Sequence, residues 1–472
     1  MADNFESLTL GIDIGTTSIK TVVMSSEEVI ARNTVEHCAE IILQENGTNW
    51  REQDVQKLFV AIDKCIKLLP KDKSRLVKDI VVCGQMHGCV LWNKEFTTSG
   101  TNIENLVKEN FIQNEKLQIS SLFTWEDKRC STEFLSSLPK SSLSLYSGFG
   151  CATLFWLQRH QPDFVSQFDS AGTIMDLVVS YLCSSNGVYI STQNACSWGY
   201  YDIEKQEWEI EKLQAANFPV HLLPTICPPG YIVGHLSHTW ENIQPNATVR
   251  VALGDMQCSI LATNAGSTDA VLNIGTSAQL SVIINESRKD EVSNDISLYP
   301  ALHILPYFNS CYLVVAAALS GGNVLAYFVK TLKSWLHDLG YDPPPDSYIY
   351  QRLFTCGVQD RHVPKLTIHP VLWGERHDPE QKAFVKDILP GSLSLGNIYN
   401  SICFGLLVNI HSMIDQFLTK YKVTKLVGTG NALLQNKMIQ ENVREIFRKD
   451  FETCEIADAA MGAAMSINKC ST

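Results

Sequence analysis

Two short stretches of this chain repeat one pattern of strand, tight turn and strand. The first, residues 8 to 20, reads Leu-Thr-Leu-Gly-Ile-Asp-Ile-Gly-Thr-Thr-Ser-Ile-Lys; the second, residues 271 to 280, reads Val-Leu-Asn-Ile-Gly-Thr-Ser-Ala-Gln-Leu. A turn with glycine and hydroxyl residues can present backbone N–H and O–H groups to a phosphate. Two such units predict two similar domains that face one nucleotide, and they favour an ATP-dependent enzyme.

The two turns differ at the residue that precedes their shared Ile-Gly pair. Asp13 of the first turn can organise a metal-bound phosphate, whereas Asn273 of the second can hydrogen-bond without adding negative charge. Thr16 and Thr17 supply hydroxyls to the first turn, and Lys20 follows them. An ordinary hairpin, with glycine for a positive φ, is the alternative for either turn alone. The repetition favours the phosphate-binding interpretation.

Length and charge limit the other classes of function. A chain of 472 residues exceeds one hydrophobic core, so we expect an N-terminal domain at 1–257 and a C-terminal domain at 258–472. Hydrophobic residues make up 45% and charged residues 19%, as is typical of a folded globular protein. The net charge of −12 argues against a nucleic-acid partner, because phosphate backbones attract a basic surface.

The pattern of cysteines and apolar segments predicts a cytoplasmic protein with no membrane partner. Fifteen cysteines are scattered without a Cys-x-x-Cys motif, which is typical of a reduced intracellular chain. The first ten residues lack the basic and apolar regions of a secretory signal. Residues 312–329 are strongly apolar, but Ser320, Gly321, Gly322 and Asn323 interrupt them, so a buried strand, a glycine turn and a helix are expected.

Strand patterns alternate with helix patterns along the chain, which favours an α/β fold. Strands are expected at residues 8–13, 18–24, 79–83, 249–253 and 425–427. Helices are expected at residues 54–69, 432–448 and 457–464, the last rich in small residues that permit close packing. Four prolines predict a loop between residues 213 and 234.

Two motifs follow strands and contain groups suited to phosphoryl chemistry. Asp255 comes after Gly254 at a predicted strand end, where α/β proteins bind ligands, and its carboxylate could accept a hydroxyl proton. A turn residue that caps the next helix is the alternative. Gly428-Thr-Gly430-Asn431 follows a strand and opens a helix, where backbone amides favour an anion. A plain helix start is the alternative there.

Two further motifs offer groups that recognise sugar hydroxyls. Gln85-Met86-His87 follows the strand at residues 79–83, and a buried structural histidine is its alternative. Trp125, Asp127 and Arg129 stand at alternate positions, so an extended backbone would place all three on one face. A surface strand with a salt bridge would explain the same residues.

These motifs, in this order, resemble the FGGY family of carbohydrate kinases over nearly the whole chain. The resemblance also rests on Asp176, on the stretch from Asn194 to Asp202, and on Gly374-Glu375-Arg376. It implies a two-domain α/β fold with a central cleft, the duplicated ribonuclease-H-like fold of the actin, hexokinase and Hsp70 ATPases. It further implies an N-terminal sugar-binding domain and a C-terminal nucleotide-binding domain.

The resemblance assigns roles to individual residues of this chain. It implies ATP and Mg²⁺ as cofactors, with Asp255 as the catalytic base and Asp13 as the second catalytic carboxylate, which reaches the metal through water. The residues implied to hold a ketose are Gln85, Met86, His87, Trp125, Asp127 and Arg129. Those implied to hold the nucleotide are Gly15, Thr16, Thr17, Lys20, Gly275, Thr276, Ser277, Gly322, Gly428, Gly430 and Asn431. Asn436 competes with Asn431 for one role.

The resemblance also narrows the substrate. Glycerol kinases carry an Arg-Glu pair where this chain has Met86-His87, so a ketose is implied. Four further stretches, Arg51–Asp54, Ser147–Thr153, Phe218–Pro224 and Leu319–Ala326, favour sedoheptulose and its phosphorylation at the terminal hydroxyl. Xylulose and ribulose remain alternatives. A non-enzymatic ATP switch or a silent sugar sensor are alternatives of another class, and the sequence leaves the oligomeric state open.

Overall fold

A seven-stranded mixed sheet forms the centre of the first of two structural units. The computed structural model describes residues 7–26, 28–45, 48–99, 118–296 and 299–470. The first unit includes the described residues up to Ala262, together with Pro306–Asn309 and those from Asp458 onward. The second unit consists of Thr263–Leu305 and Ser310–Ala457.

The first unit contains most of the described strands and many short helices. Its strands are β1 (Leu8–Ile14), β2 (Ser18–Met24), β3 (Val29–Glu36), β4 (Glu40–Glu45), β5 (Thr48–Gln53), β6 (Val77–Gly84), β7 (Val90–Trp92), β8 (Leu122–Phe123), β9 (Ser170–Gly172), β10 (Tyr189–Ser191), β11 (Tyr201–Asp202), β12 (Glu207–Trp208), β13 (Thr225–Cys227), β14 (Ile232–His235), β15 (Thr248–Arg250) and β16 (Leu253–Gly254). Its helices are α1 (Val55–Lys67), α2 (Lys71–Ser74), α3 (Lys94–Thr98), α4 (Thr132–Ser136), α5 (Gly150–His160), α6 (Pro162–Val165), α7 (Ile174–Leu182), α8 (Thr192–Trp198), α9 (Ile210–Ala215) and α10 (Asp255–Ala262).

The second unit contains a six-stranded sheet and the longest helices. Its strands are β17 (Asp269–Ile274), β18 (Ala278–Ile284), β19 (Leu302–Pro306), β20 (Tyr312–Ala318), β21 (Thr367–His369), β22 (Phe384–Lys386), β23 (Lys425–Thr429) and β24 (Asp450–Thr453). Its helices are α11 (Lys289–Ile296), α12 (Gly322–Asp338), α13 (Asp346–Gln359), α14 (Leu395–Lys420), α15 (Asn431–Leu434) and α16 (Lys437–Phe447). The last helix, α17 (Ala459–Cys470), belongs to the first unit.

The central sheet of the first unit brings together strand ends that carry chemistry. Its order is β14-β15-β6-β1-β2-β3, and β16 also pairs with β6. β1 runs antiparallel to β2 and parallel to β6, so Asp13 lies opposite both Lys20 and Cys83. β16 runs parallel to the end of β6 and pairs with Cys83 and Gly84. The start of α10 therefore lies beside the residues that follow β6.

Close packing of α17 explains the small residues at its start. A Cβ at Gly11 of β1 would lie 1.9 Å from the Ala460 carbonyl oxygen, so only glycine permits this approach. Helix α17 thus completes the first unit. The prediction of a C-terminal domain that runs to residue 472 differs from this division, because α17 packs with the N-terminal strands. The functional assignment of the two domains stays a prediction.

The sheet of the second unit repeats the arrangement around the second turn. Its order is β19-β20-β18-β17-β23-β24, in which β17 is antiparallel to β18 and parallel to β23. Helix α14 is long and apolar enough to span a membrane, with a mean hydropathy of 1.3 over 18 residues. However, 61% of that window is buried, and its apolar side chains join the core of this unit. We therefore assign α14 as a core helix.

Candidate functional site

The first Gly-Thr turn is a tight connection held by four groups of its own unit. The Gly15 amide donates to the Ser18 carbonyl at 3.1 Å. The His37 ring lies 3.2 Å from the Gly15 carbonyl through Nε2, and the Gln53 amide donates to the Thr16 carbonyl at 2.7 Å. The Trp125 indole donates to Thr16 Oγ1 at 3.1 Å. With its carbonyls occupied by these donors, the turn can present its amides to an anion.

Asp13 and Asp255 are two carboxylates of the first unit with raised pKa values. Burial raises the pKa of Asp13 to about 6, and Lys20, whose Nζ lies 3.5 Å from Asp13 Oδ2, opposes that shift. Burial raises the pKa of the half-buried Asp255 to about 7, and the negative charge of Asp13 adds to the shift. The Met256 amide, which donates to Asp255 Oδ1 at 2.7 Å, and the cation of Lys20 lower it. A carboxyl with a pKa near neutrality is suited to proton transfer.

The residues that follow β6 lie against the start of α10. A Cβ at Gly254 would lie 2.8 Å from Met86 Cε, so Met86 packs directly on the strand end before Asp255. His87 has a positive φ of 75°. Its Nδ1 lies 2.8 Å from the Ser197 carbonyl, and its ring stacks on Phe149 with centroids 4.4 Å apart. The strained backbone and the two contacts hold the imidazole in one orientation.

Gln85 uses one of its two side-chain amide atoms in a hydrogen bond to the described residues. Its Nε2 donates to Gln53 Oε1 at 2.8 Å. Its Oε1 is buried and has no hydrogen-bond partner among the described residues. A buried acceptor without a donor is costly unless a ligand or water satisfies it.

The prediction that Trp125, Asp127 and Arg129 share one face depended on an extended backbone. A turn at residues 125 and 126 replaces the extended backbone that this prediction required. Asp127 is fully buried and accepts hydrogen bonds from the Arg51 amide and from three nitrogens of Arg129. These fill the lone-pair positions of a carboxylate.

Arg129 is held by protein groups on several sides. Its Nη2 donates to Glu52 Oε1 at 2.6 Å, and its guanidinium lies over the Trp50 and Phe123 rings at 4.7 and 4.3 Å. Arg129, paired with Asp127 and Glu52, forms a wall beside Trp125. Of the three residues in this motif, Trp125 contacts the first Gly-Thr turn.

The second turn is similar in composition to the first, but its connection between the two strands is one residue shorter. The Gly275 amide donates to the Ser277 carbonyl at 3.0 Å, and Ile274 pairs with Ala278. In the first turn, Ile14 pairs with Ile19, one residue further along. The start of α12 holds the second turn, because the Gly322 amide donates to the Gly275 carbonyl at 2.8 Å.

A cavity of about 670 Å³ lies beside the second turn, within the second unit. Its volume falls in the range of small-molecule sites. The residues that line it are Gly275, Thr276, Gly322, Asn323, Ala326, Tyr327, Lys330, Trp373, Asn431 and Ala432. The rings of Tyr327 and Trp373, the amine of Lys330 and the first residues of α12 and α15 line this space. Four of the lining residues were predicted to hold the nucleotide: Gly275, Thr276, Gly322 and Asn431.

In the segment from Gly428 to Asn436, the structure distinguishes Asn431 from Asn436, which the sequence left as alternatives for one role. Asn431 is exposed and lines the cavity. Asn436 is buried; its Oδ1 caps α16 by accepting from the Met438 and Ile439 amides, and its Nδ2 donates to the Tyr399 hydroxyl. Gly428 lies inside β23, where a Cβ would meet the Phe451 ring at 2.7 Å, so glycine permits this close packing, and its nucleotide contact stays a prediction.

Asp13 suits a divalent cation that is bound mainly by phosphate. The part of the chain that the structure describes contains no group of three or more His, Cys, Asp or Glu residues able to hold a metal. Magnesium commonly takes one or two carboxylates, several waters and the phosphates of its substrate. Asp13 Oδ1 is buried and lacks a hydrogen-bond partner among the described residues. That oxygen fits a carboxylate that holds such an ion through water.

Several residues of the site were not predicted. Gln53, Phe149 and Gln193 contact predicted residues, and Gln193 Oε1 accepts from the Gly254 amide at 3.2 Å. Gln53 and Phe149 lie in stretches already singled out, Arg51–Asp54 and Ser147–Thr153, which was a usable signal. Lys330 and Trp373 enter the cavity from segments without a motif, so only the fold brings them in.

Comparisons with known proteins agree with this architecture. The model of the FGGY family of carbohydrate kinases, N-terminal domain, matches residues 8–262. Sedoheptulokinase of Homo sapiens is 42% identical over 474 residues, which covers 97% of this chain and 96% of that protein.

Two solved structures match the fold with high coverage. Xylulose kinase from Rhodospirillum rubrum matches with a TM-score of 0.76 at 15% identity, over 97% of this chain and 89% of that one. Glycerol kinase of Plasmodium falciparum, solved with ADP, matches with a TM-score of 0.74 at 17% identity, over 97% and 88%. The predicted two-domain α/β kinase fold is confirmed. Because the family model and a relative of nearly equal length both match, this chain belongs to the FGGY family of carbohydrate kinases.

Proposed function

We propose that this kinase transfers the γ-phosphoryl group of ATP to the terminal hydroxyl of sedoheptulose and releases sedoheptulose 7-phosphate and ADP. The carbohydrate kinase activity follows from the family, and the substrate rests on the 42% identity to human sedoheptulokinase over nearly the full chain. The observation that supports the chemistry is the half-buried Asp255 at the start of α10, whose pKa burial raises to about 7.

Asp255 acts as the general base in this proposal. Its ionised carboxylate accepts the proton of the attacking hydroxyl while the new O–P bond forms. The Met256 amide holds Oδ1 at 2.7 Å, which leaves Oδ2 to face the substrate. In phosphoryl transfer most of the rate enhancement comes from positioning and from stabilising charge, and the base contributes a smaller part.

The two Gly-Thr turns bind phosphate oxygens through backbone amides and threonine hydroxyls. Thr16 and Thr17 serve in the first turn, and Thr276 with Ser277 in the second. Asp13 would hold Mg²⁺ through water, and the ion would supply positive charge beside the transferred group. Lys20 keeps Asp13 ionised through their 3.5 Å contact and so acts on the phosphate indirectly.

The ketose is held by Gln85, Met86, His87 and Trp125, which lie around the end of β6 and the first turn. Asp127 and Arg129 support this wall from behind, because both oxygens of Asp127 are bonded to Arg129 and the Arg51 amide, and Nε and Nη2 of Arg129 are bonded to Asp127 and Glu52. In the second unit, the cavity beside Gly275 holds the nucleotide, with Asn431 in its lining and Gly430 directly before Asn431 in the chain.

A His87→Ala variant is expected to raise KM for the ketose about 10-fold while KM for ATP stays within twofold of the native value. The loss follows because one half-buried hydrogen-bonding group is removed from a rigid position. Steady-state kinetics with each substrate varied in turn measure both constants. His362→Ala, at an exposed histidine outside the proposed site, is the matched control. Unchanged ketose kinetics would remove His87 from the sugar site.

The proposed activity is tested by ketose-dependent ADP release with sedoheptulose, xylulose and ribulose at equal concentrations. We expect the highest kcat/KM with sedoheptulose and a product with phosphate on carbon 7 by NMR. A preference for xylulose or ribulose would make the protein a pentulose kinase. Binding of ATP or ketose without ADP release would identify a switch or a sensor instead.

The pH dependence follows from the charges around Asp255. Because only the ionised carboxylate accepts a proton, kcat/KM is expected to fall about tenfold per unit below the pKa of Asp255. Lys20→Gln removes a cation that lowers this pKa, so the acid limb should move to higher pH; Asp13→Asn removes an anion, so it should move to lower pH. Lys71→Gln, at an exposed lysine of α2, is the control. Shifts in the same direction would contradict the proposed electrostatics.

We place the enzyme in the cytoplasm, without a nucleic-acid or membrane partner. Every cysteine lies within the described part of the chain and is a free thiol, as expected for a reducing compartment. Fractionation with antibody detection tests the location.

A further inference from the structure

Gln53 joins the phosphate turn to the proposed sugar site through two hydrogen bonds. It is the last residue of β5 and is 2% exposed. Its Nε2 donates to the Thr16 carbonyl at 2.7 Å, and its Oε1 accepts from Gln85 Nε2 at 2.8 Å. Both polar atoms of this side chain are therefore used within the protein, and it acts through its two neighbours.

The direction of these bonds is set by the Thr16 carbonyl. A carbonyl oxygen can only accept, so Gln53 must turn its NH₂ group toward Thr16. The Gln53 oxygen then faces Gln85, which must donate a hydrogen bond to it from its own NH₂ group. Turning either amide by 180° would bring two oxygens or two NH₂ groups together. The orientation of Gln85 thus follows from a backbone atom two side chains away.

The consequence is the polarity of Gln85 toward its ligand. With Nε2 committed to Gln53, the remaining Oε1 is an acceptor, and it is buried without a partner among the described residues. We propose that Gln53 is a positioning residue that fixes Gln85 as a hydrogen-bond acceptor, so that the ketose must donate a non-terminal hydroxyl to Gln85 Oε1. The inference rests on the proposed function, because it takes the ketose as the ligand of Gln85.

The pH profile of a Gln53→Glu variant tests this relay of hydrogen bonds from the Thr16 carbonyl through Gln53 to Gln85. The introduced carboxylate, once ionised, cannot donate to Thr16, so kcat/KM for the ketose should fall about 10- to 100-fold at pH 8, the usual effect of one or two unsatisfied buried groups. A protonated carboxyl has one O–H donor and one carbonyl acceptor, as the amide does. The ratio of variant to native kcat/KM should therefore rise as the pH falls toward 5.5.

Two controls separate the relay from a general structural effect. Gln53→Leu removes both hydrogen bonds, so its ratio to native should be low at every pH. Gln214→Glu adds a carboxylate at an exposed glutamine of α9, so its ratio should stay near one. The other titratable or charged groups near Gln53 are Glu52, Asp54, His37 on the neighbouring Gly15 carbonyl, and Asp127 with Arg129, and every variant retains them. A Gln53→Glu ratio that is native-like at pH 8, or low without pH dependence, overturns the relay.

Substrate analogues test the same proposal on the unmodified enzyme, even where a variant does not fold. The analogues are ketoses in which hydrogen (deoxy) or fluorine (fluoro) replaces one non-terminal hydroxyl. At one position, both analogues should lose the same factor in kcat/KM, about 10-fold or more. Fluorine accepts hydrogen bonds weakly but cannot donate them. That penalty should vanish in Gln85→Leu. A fluoro compound that retains activity where the deoxy compound loses it, or no position with a penalty, overturns the relay. Absence of ketose turnover by the native enzyme would instead refute the proposed function.

Discussion

An Asp255→Asn variant is expected to lose about 10²- to 10⁴-fold in kcat, the range that general-base catalysis commonly contributes. Asparagine has the shape of aspartate, and its oxygen can still accept from the Met256 amide, which now holds Asp255 Oδ1 at 2.7 Å. What it lacks is the ability to take the hydroxyl proton. KM for ATP should stay within about threefold, because the cavity of the second unit contains none of the atoms that change.

The same substitution should stabilise the protein, and this separates lost chemistry from lost folding. The fold raises the pKa of Asp255 from 3.8 to about 7, so the native state binds more protons than the unfolded state between these values. The free energy of unfolding therefore decreases as the pH rises from about 4 to 7, and asparagine removes that penalty. The melting temperature of Asp255→Asn should exceed that of the native enzyme at pH 8, and the difference should disappear near pH 4.

Rapid-quench or coupled kinetics and thermal melts at both pH values measure these effects. Asp163→Asn, at an exposed aspartate of α6, should change neither kcat nor the melting temperature appreciably. If kcat of Asp255→Asn stays within about tenfold of the native value, Asp255 is not the base. A melting temperature that falls at pH 8 would contradict the cause assigned to its raised pKa.

Local patterns were sufficient for the parts of the site that a few neighbouring residues determine. The first turn lies between strands that end and begin within one residue of the prediction. Residues 312–329 form β20 and the start of α12, as the glycines between them predicted. The helix predicted at residues 54–69 is α1, capped by Asp54. Periodicity and turn residues act over short distances, so they are readable without the fold.

Tertiary contacts decided what the sequence could not. Residues 125–129 turn because Asp127 and Arg129 pair with each other and with β5, partners more than 70 positions away. Helix α14 is apolar on most sides because it is a core helix, so it lacks the one-sided period that identifies surface helices. The expected loop at residues 213–234 contains β13 and part of β14, because pairing with β10 and β15 overrides its prolines. Gln53 became meaningful only when β5 brought it between Thr16 and Gln85.

A Gly430→Ala variant is expected to weaken nucleotide binding at least 10-fold and to lower the melting temperature. Gly430 has a φ of 90°, and a Cβ there would lie 2.3 Å from Asn273 Oδ1 and 2.5 Å from the Ile274 carbonyl oxygen. Either the second turn or the start of α15 must move, and Gly275 and Asn431, which line the cavity, move with them. KM for the ketose at saturating ATP should stay within about threefold of the native value.

Gly391→Ala separates the steric effect from backbone strain. Gly391 has nearly the same φ, 86°, but a Cβ there meets no atom of the described residues within 4 Å. Its cost is therefore the strain of alanine in a left-handed conformation, about 1–3 kcal/mol of stability, with nucleotide affinity unchanged. Isothermal titration with ADP and thermal melts of both variants provide the comparison. Because the two variants share the strain, only the clash with Asn273 and Ile274 can make them differ in affinity. Equal affinities would therefore mean that this turn does not shape the nucleotide site.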